Sequence, residues 1–488
     1  MLGTKDRWQE DLFVAATLSS LIPEDHILKQ VDKVLDLSWL AKEVSELYSD
    51  NQGRPSISPE AALRLMLAGF FQGIVHDRKL MREAQVNIAI RWFAGYRLHE
   101  KLPDHSSLTK IRNRWGEERF KKIFQHTVRQ CIQADLVSGD TVHFDATLIR
   151  ADVSWGNIVE KYADKIIEEN KEEEPPDDEP TGEKKKKRGR KKTKPPQKKK
   201  VSKTDPDASM ATSQSNYHLE PTYKQHTAVD DKEGIIVDVK TTTGEANEGE
   251  ELLNQVDRIE PATGKKIENA SGDCSYAHGK NYESLEKRKT HAVIPPQNER
   301  RKYKRIPSTR FKYDKKNNIV KCPKKKKLYP SYKTKDQGVV YRAKSKDCNN
   351  CPLKKRCVSQ SASSRTITIK QGYEAALRAK RRHRRKEEKD REIYKRHRWQ
   401  VEGIHGEAKS QHGLRRAARR GLWNVSIQVY LTAAVINLKR LAKAYICLIF
   451  VRNRQNKPYM SIIFNFREDY FDIFYSQRIF ENEHSKAA

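Results

Sequence analysis

From Asn157 to about Lys203 the chain has nothing with which to build a core. Residues Glu168 to Glu183 are acidic and contain prolines, and Lys184 to Lys203 is intensely basic. Like charges repel and there is no apolar surface to offset chain entropy, so the stretch is predicted to be a disordered, charge-blocked insertion. Any fold must therefore be assembled from segments on either side. Before it, Thr141 to Arg150 reads TVHFDATLIR, with Val142, Phe144 and Ala146 alternating with His143, Asp145 and Thr147, the pattern of a half-buried strand with Asp145 on its polar face. After it, YKQHTAVDD from Tyr223 and IIVDVKTTTG from Ile235 flank the turn Lys232-Glu233-Gly234 and predict a hairpin. A helix over Glu248 to Ile259, a strand ending at Asp273, a helix around Tyr282 to Lys289 and a short strand at His291 follow. Strand, hairpin, helix, strand, helix, strand is the order of an α/β fold with a mixed sheet.

The remainder divides by composition. From Leu12 to about Leu136 apolar residues recur at helical spacings, and Pro59 after Ser58 marks a helix start. Basic side chains stand beside aromatics there (Arg91 and Trp92, Arg97, Lys110, Arg112, Arg114 and Trp115), which is either a solvated face or a DNA-facing one. Glu299 to Ile369 is rich in Lys, Tyr and Cys, and helix is predicted to resume near Glu374 and run past Lys409 as one continuous element. The expected domains are a helical N-terminal domain at 1–137, core segments at 138–156 and 204–298 around the insertion at 157–203, a Cys-rich insertion at 299–370, a helical return to the core at 371–445, and a tail at 446–488.

Charge narrows the partner. Lys and Arg total 97 against 65 Asp and Glu, a formal charge of +32. So large an excess calls for an anionic partner, and nucleic acid is the commonest long one. The longest apolar run, Ala444 to Val451, falls well short of the roughly 20 residues that span a bilayer, so no membrane partner is expected. Met1 to Glu10 is charged rather than signal-like, and seven cysteines, an odd number, suit reduced thiols, so a cytoplasmic location is expected.

Three carboxylates stand at positions where chemistry is expected: Asp145 in the first strand, Asp273 at the end of a later one, and Glu402 in the basic helix. Carboxylate oxygens hold Mg²⁺ or Mn²⁺, and two such ions can serve both sides of a phosphodiester displacement. At about 100° per residue, Tyr394, Arg398, Glu402, His405 and Lys409 fall at about 0°, 40°, 80°, 20° and 60°, one face, while Glu407 lies about 140° from Glu402. A metal-binding acid flanked by Arg and Lys suits a site that holds ion and phosphate together. The plainer reading of that face is a surface helix with an Arg–Glu pair.

These residues resemble the Tyr-Arg-Glu-Lys signature of bacterial insertion-sequence transposases with an RNase H-like DDE core. Arg398 to Glu402 and Glu402 to Lys409 have that family's spacing, and Tyr394 sits one residue early. HFDATLIRA around Asp145 and SGDCSY followed by HAVIPP resemble the segments that carry the family's first two acids. GRPSISP from Gly53, RWFAGY from Arg91, PDHSSLTKIRNRW from Pro103, TDPDASM from Thr204, YKQHTAVD from Tyr223 and INLKRL from Ile436 extend the likeness over about residues 10 to 445, apart from the insertion. The resemblance implies an RNase H-like core with Asp145, Asp273 and Glu402 binding two Mg²⁺ or Mn²⁺ ions. It further implies double-stranded DNA as partner, both element terminal repeats and target, a homodimer or higher oligomer on that DNA, a nucleoid-associated setting in a bacterium, and cleavage followed by joining of 3′ ends. A nuclease without strand transfer and a transposase-derived DNA-binding protein are the alternatives.

Two further features bear on ligands. Cys322, Cys348, Cys351 and Cys357 fall within 36 residues, and Cys348-x2-Cys351 has a zinc-knuckle spacing, so four thiolates could close one tetrahedral Zn²⁺ site; reduced thiols in a basic insertion are the alternative. Cys131, Cys274 and Cys447 read as isolated core residues. In Arg378 to Lys386 seven of nine positions are Lys or Arg, and Arg381, Arg382, Arg384 and Arg385 are expected to run along phosphates. The KKRGRKK sequence at Lys186 to Lys192 resembles an AT-hook, against the plainer reading of a solvated lysine run.

Overall fold

A computed structural model describes residues 17–49, 56–154, 156, 158–161, 199–212, 219–297, 305–334, 338–385 and 387–455. The chain divides into two units, Met1–Ala442 and Lys443–Ala488. The described part of the second unit, 443–455, is helical.

The N-terminal part of the first unit is helical: α1 (Ile27–Asp32), α2 (Leu40–Val44), α3 (Pro59–Phe71), α4 (Asp77–Val86), α5 (Ile88–Phe93) and α6 (His105–Gln133), the last broken at Gly116, whose φ of 68° lies outside helical space. Ser58 and Pro59 open α3 as expected, and its buried Leu63, Leu65, Met66, Leu67 and Phe70 form the local core. Some of the Arg and Trp residues here turn inward, while Arg97, Lys110 and Arg114 are exposed. Arg91 is buried and donates to the Arg97 carbonyl at 2.7 Å, Arg112 is buried against Asp77, and Trp115 donates to the Tyr48 hydroxyl at 3.0 Å. Arg114 lies over the Tyr48 ring. Among the three Arg and Trp side chains with these buried contacts, the basic-aromatic pattern serves the interior rather than a DNA-facing surface.

The central sheet contains β1 (Thr141–Arg150), β4 (Ser209–Ala211), β5 (Glu220–Asp230), β6 (Ile236–Thr243), β7 (Asn269–Gly272) and β8 (His291–Val293). Strands β6, β5 and β1 are antiparallel in that order, β4 continues the β6 edge along the start of β5, and β7 and β8 run parallel to β1 on its other side. The alternation in β1 predicts one wet face, but Thr141, Val142, His143 and Phe144 are all buried. A strand central to a sheet with both faces covered loses its polar side, and the Nε2 of His143 meets Asp231 at 2.9 Å. Helix α7 (Glu248–Thr263) follows β6, and α8 (Gly279–Lys287) follows β7.

The ends of the charged insertion differ from expectation: β2 (Ile158–Lys161) and β3 (Lys199–Ser202) pair antiparallel and close it off. Its interior, 162–198, including the KKRGRKK sequence, lies outside the described residues.

The Lys-, Tyr- and Cys-rich region forms a second sheet of β9 (Lys312–Asp314), β10 (Ile319–Lys321), β11 (Lys327–Lys333), β12 (Val339–Ala343) and β13 (Thr366–Ile369), antiparallel throughout and adjacent in chain order. Short helices α9 (Ser345–Asn349) and α10 (Lys354–Cys357) lie between its last two strands. It has its own core of Phe311, Val320, Leu328, Tyr341, Val358, Ile367 and Ile369.

The expected continuous helix is broken. Helix α11 (Tyr373–Arg385) ends before α12 (Glu388–His397), where Glu387 has extended backbone, φ −53° and ψ 134°. A π turn, Arg398–Glu402, then leads into α13 (Gly403–Gln411), and α14 (Leu422–Gln455) follows.

Candidate active site

Strand register brings the first two acids together. Phe144 pairs with Gly272 across the parallel β1–β7 ladder, so Asp145 and Asp273 are the next residues on adjacent strands. Neighbouring strands lie about 4.8 Å apart, which puts the two carboxyl groups at one edge of one ladder. Burial pushes the Asp145 carboxyl up to about 7, and the charges of Asp273, Glu248 and Glu402 add to this against one hydrogen bond from the Ala146 N–H. Asp273 is also raised, first by burial and then by Glu248. It caps a short turn, accepting from the Ser275 N–H at 2.8 Å and the Ser275 hydroxyl at 3.2 Å.

The α12–α13 segment brings up the third acid and its neighbours. Glu402 is exposed, 3.6 Å from the Arg398 guanidinium, and its charge reaches Asp145. His405 is buried, with Nδ1 3.6 Å from Asp145 and Nε2 3.0 Å from the Thr227 hydroxyl. Burial lowers it to about 3, so it stays neutral beside the acid. Burial also lowers the Lys409 ammonium, helped by Arg415 and opposed by Asp145. Tyr394 is half-buried; burial raises its phenol, and the charges of Asp273 and Asp145 contribute. Its ring stacks on His397 at 5.7 Å. Tyr394, Arg398, Glu402, His405 and Lys409 thus all attend the Asp145 side of the segment. Glu407 points elsewhere, binding Lys439 at 2.6 Å and Arg440 at 2.9 Å.

Of the four arginines expected along DNA, Arg381, Arg384 and Arg385 are exposed. Arg382 turns back, donating to the Ala292 carbonyl at 2.9 Å at the end of β8. It lines a cavity of about 480 Å³ with Val293, Ile294, Asp390 and Tyr394.

The four clustered cysteines share one place in the second sheet. Cys348 is buried in that core, and Cys322 and Cys357 pack against it. Burial raises the Cys357 thiol, and Cys348, Cys322 and Cys351 are the thiols adding to the effect. The Cys322 sulfur accepts from the Lys326 N–H at 3.3 Å. No disulfide joins the seven cysteines. Cys131 is buried, but Cys274 is exposed beside Asp273, and Cys447 is half-buried, so those two are not core residues.

Among the described residues, no three His, Cys, Asp or Glu side chains stand close enough to share a metal ion as they lie. No helix among them is long and apolar enough to cross a membrane.

Two family descriptions match the chain, both of transposases: "Transposase domain (DUF772)" over residues 16–114 and "Transposase DDE domain" over residues 321–442. The first covers most of the N-terminal helices. The second contains the four clustered cysteines and Glu402 and leaves Asp145 and Asp273 outside. Together they support a DNA transposase of the DDE class. Among solved structures, a piggyBac transposase synaptic complex with hairpin DNA is similar at 11% identity over 90% of this chain and 80% of that one; its TM-score of 0.30 is too low to transfer a fold or a role. No curated protein matches.

Proposed function

We propose that this chain is a DNA transposase that binds the ends of an insertion sequence, cuts them and joins the 3′ ends to target DNA. The observation that carries the proposal is that Asp145, within β1, and Asp273, just past the end of β7, follow the last paired residues of one parallel ladder, with the charge of Glu402 reaching Asp145. The sheet order, three antiparallel strands continued by two parallel to the first, supports an RNase H-like core.

The donor set fits a divalent cation. Asp145 is raised by burial and by three other carboxylates, so a cation would relieve it, and hard oxygen ligands suit Mg²⁺ or Mn²⁺. Asp145, Asp273 and Glu402 would hold two such ions, which when bound would supply Lewis-acid polarisation of the phosphodiester. The rest is the work of the chain. His405 orients the Asp145 carboxylate, itself positioned by Thr227. Arg398 holds Glu402 and offers a guanidinium to phosphate. Lys409, Arg381, Arg384 and Arg385 place further positive charge along the DNA path. Water attacks the bond at the element end, releasing a 3′ hydroxyl that attacks a target phosphodiester.

A π turn separates Arg398 from Glu402. An i→i+5 turn takes one residue more than an α turn. This one falls between Arg398 and Glu402, not in the α-helical stretch that holds the extra residue after Tyr394, and such turns recur at functional sites. The four clustered cysteines would hold a structural Zn²⁺. Two copies of the chain, one per element end, would assemble on double-stranded DNA.

The test uses the purified chain with duplexes taken from either side of its reading frame. Mg²⁺-dependent cleavage is expected from wild type and not from Asp145→Asn, Asp273→Asn or Glu402→Gln, while DNA binding survives in all three, because each change removes a ligand and leaves the basic surface. Cleavage retained in any variant removes that residue from the site. Cuts without joined products would make the protein a nuclease, and binding without cuts a DNA-binding derivative.

A further inference from the structure

We infer that Glu248 is a fourth carboxylate of the same divalent-cation site, with the Tyr276 hydroxyl as the donor that faces it. The inference rests on the ion-site reading above and extends it to a helix that carries none of the three expected acids.

Glu248 is the first residue of α7, immediately after the hairpin, and its place is fixed by close packing against the Asp273 loop. Asn247 caps the helix, accepting from the Gly249 N–H at 3.0 Å. The fully buried Asn281 donates to the Gly249 carbonyl at 2.7 Å and to the Tyr276 carbonyl at 3.1 Å, joining the helix start to that loop. A Cβ at position 249 would lie 2.8 Å from the Ser275 carbonyl oxygen, so only glycine admits this approach. The residue before Gly249 is thereby held against the Asp273 loop, where its charge reaches both Asp145 and Asp273.

Tyr276 is the second, independent observation. Its side chain is fully buried and its hydroxyl has no hydrogen-bond partner. A buried unsatisfied phenol is costly to keep unless it meets a partner in another state. Burial raises its phenol, and the charges acting on it are those of Asp145, Glu248, Asp273 and Glu251. Of these, Glu251 is already committed to Arg258 at 2.9 Å. Asp145, Asp273 and Glu248 are the three that a cation could draw together around the phenol.

Lys224 sets the competing account. Its ammonium lies 3.1 Å from Glu248 and donates to the Ala246 carbonyl at 2.8 Å. If that ion pair were the purpose of Glu248, removing Lys224 would destabilise the fold and leave cation affinity unchanged. If Glu248 serves the cation, removing Lys224 frees a carboxylate for it.

The experiment is Mn²⁺ titration of the full chain without DNA by calorimetry, with melting curves confirming that each variant is folded. The variants are Asp145→Asn, Glu248→Gln, Lys224→Met, Tyr276→Phe and, as an exposed control on the same helix turn, Glu250→Gln. Wild type is expected to bind. Asp145→Asn and Glu248→Gln should each weaken affinity about tenfold or more, the scale on which even outer-shell groups act. Lys224→Met should tighten it, Tyr276→Phe weaken it more mildly, and Glu250→Gln leave it unchanged. Loss of affinity in Asp145→Asn with wild-type affinity in both Glu248→Gln and Lys224→Met overturns the role of Glu248 and leaves the ion site standing. No Mn²⁺ binding by wild type, or none lost in Asp145→Asn, overturns both.

Discussion

Replacing Asp145 by Asn should make the protein more stable while removing its cleavage activity. In the folded chain this carboxyl is raised from 3.8 to about 7. At about 1.4 kcal/mol per pH unit, the shift costs roughly 4 kcal/mol relative to the unfolded chain at pH 8, where the carboxyl is held ionised, and roughly 1.5 kcal/mol at pH 5, where it is held protonated. The sign follows from the direction of the shift. A carboxyl raised on folding contributes stability that is fully present below pH about 4 and is lost as pH rises through about 7. The side chain is 22% exposed, so water takes up part of the cost, and a gain of about 2 kcal/mol in the amide variant at pH 8 is the reasonable expectation. An Asn oxygen still accepts from the Ala146 N–H, so little is lost in exchange. Domains of 150–250 residues gain about 2–4 °C per kcal/mol and longer units less, giving a rise of about 3–6 °C at pH 8 and about 1–2 °C at pH 5. The assay is differential scanning calorimetry of both proteins in chelator at the two pH values, then with added Mg²⁺. Excess Mg²⁺ should stabilise wild type, by about 2.7 kcal/mol at a hundred times the dissociation constant, and leave the variant nearly unmoved. A variant that melts below wild type at pH 8, or by the same difference at both pH values, would refute the account of Asp145 as an uncompensated buried acid.

Two more predictions follow from the described geometry. Protein prepared without chelator should carry about one zinc per chain, lost in the Cys348→Ser, Cys351→Ser double variant; elemental analysis that finds no zinc in wild type returns these cysteines to plain thiols. Changing the exposed Arg381, Arg384 and Arg385 to Gln should flatten the salt dependence of binding to end and random DNA alike, by about 0.9 log units per lost phosphate contact, whereas Arg382→Gln, which loses its bond to the Ala292 carbonyl, should lower the melting temperature more than the slope. An unchanged slope in the triple variant would leave those arginines as a solvated face.

The order of elements around the acids was legible because each has a strong local period. TVHFDATLIR, the Tyr223 hairpin and the Glu248 helix all form where their patterns predict. The second sheet was not legible, because its strands are short and the longest of them, β11, buries too little to show alternation. In β11 only Leu328 is buried, Tyr329 and Tyr332 are exposed, and Pro330 sits inside the strand. A proline and a lysine-rich surround argue against a strand in isolation; pairing on both sides overrides them. The break at Glu387 has no proline or glycine to announce it. Arg112 and Trp115 showed that a basic residue beside an aromatic does not reveal its direction, since the partners, Asp77 and Tyr48, lie far away in sequence. Glu248 was invisible as a candidate for a different reason. An acid in the first turn of a helix is common simply because the helix dipole favours it there, so only contact with the Asp273 loop distinguishes it.

A chain with a charge of +32 nevertheless gathers Asp145, Asp273, Glu248 and Glu402 with little neutralisation of the first two. The nearby cations are placed so that this persists. Lys224 is engaged with Glu248, Arg398 with Glu402, and Lys409 is itself depressed by burial. His405, 3.6 Å from Asp145, is kept neutral by its burial. Had an arginine replaced His405, Asp145 would be paired and its carboxyl lowered, which would stabilise the fold and remove its demand for a cation. The glycine at 249 and the buried amide of Asn281 hold the start of α7 against the Asp273 loop, the phenol of Tyr276 is left orphaned there, and on the proposed reading a cation bound by the acids would offset that cost in stability.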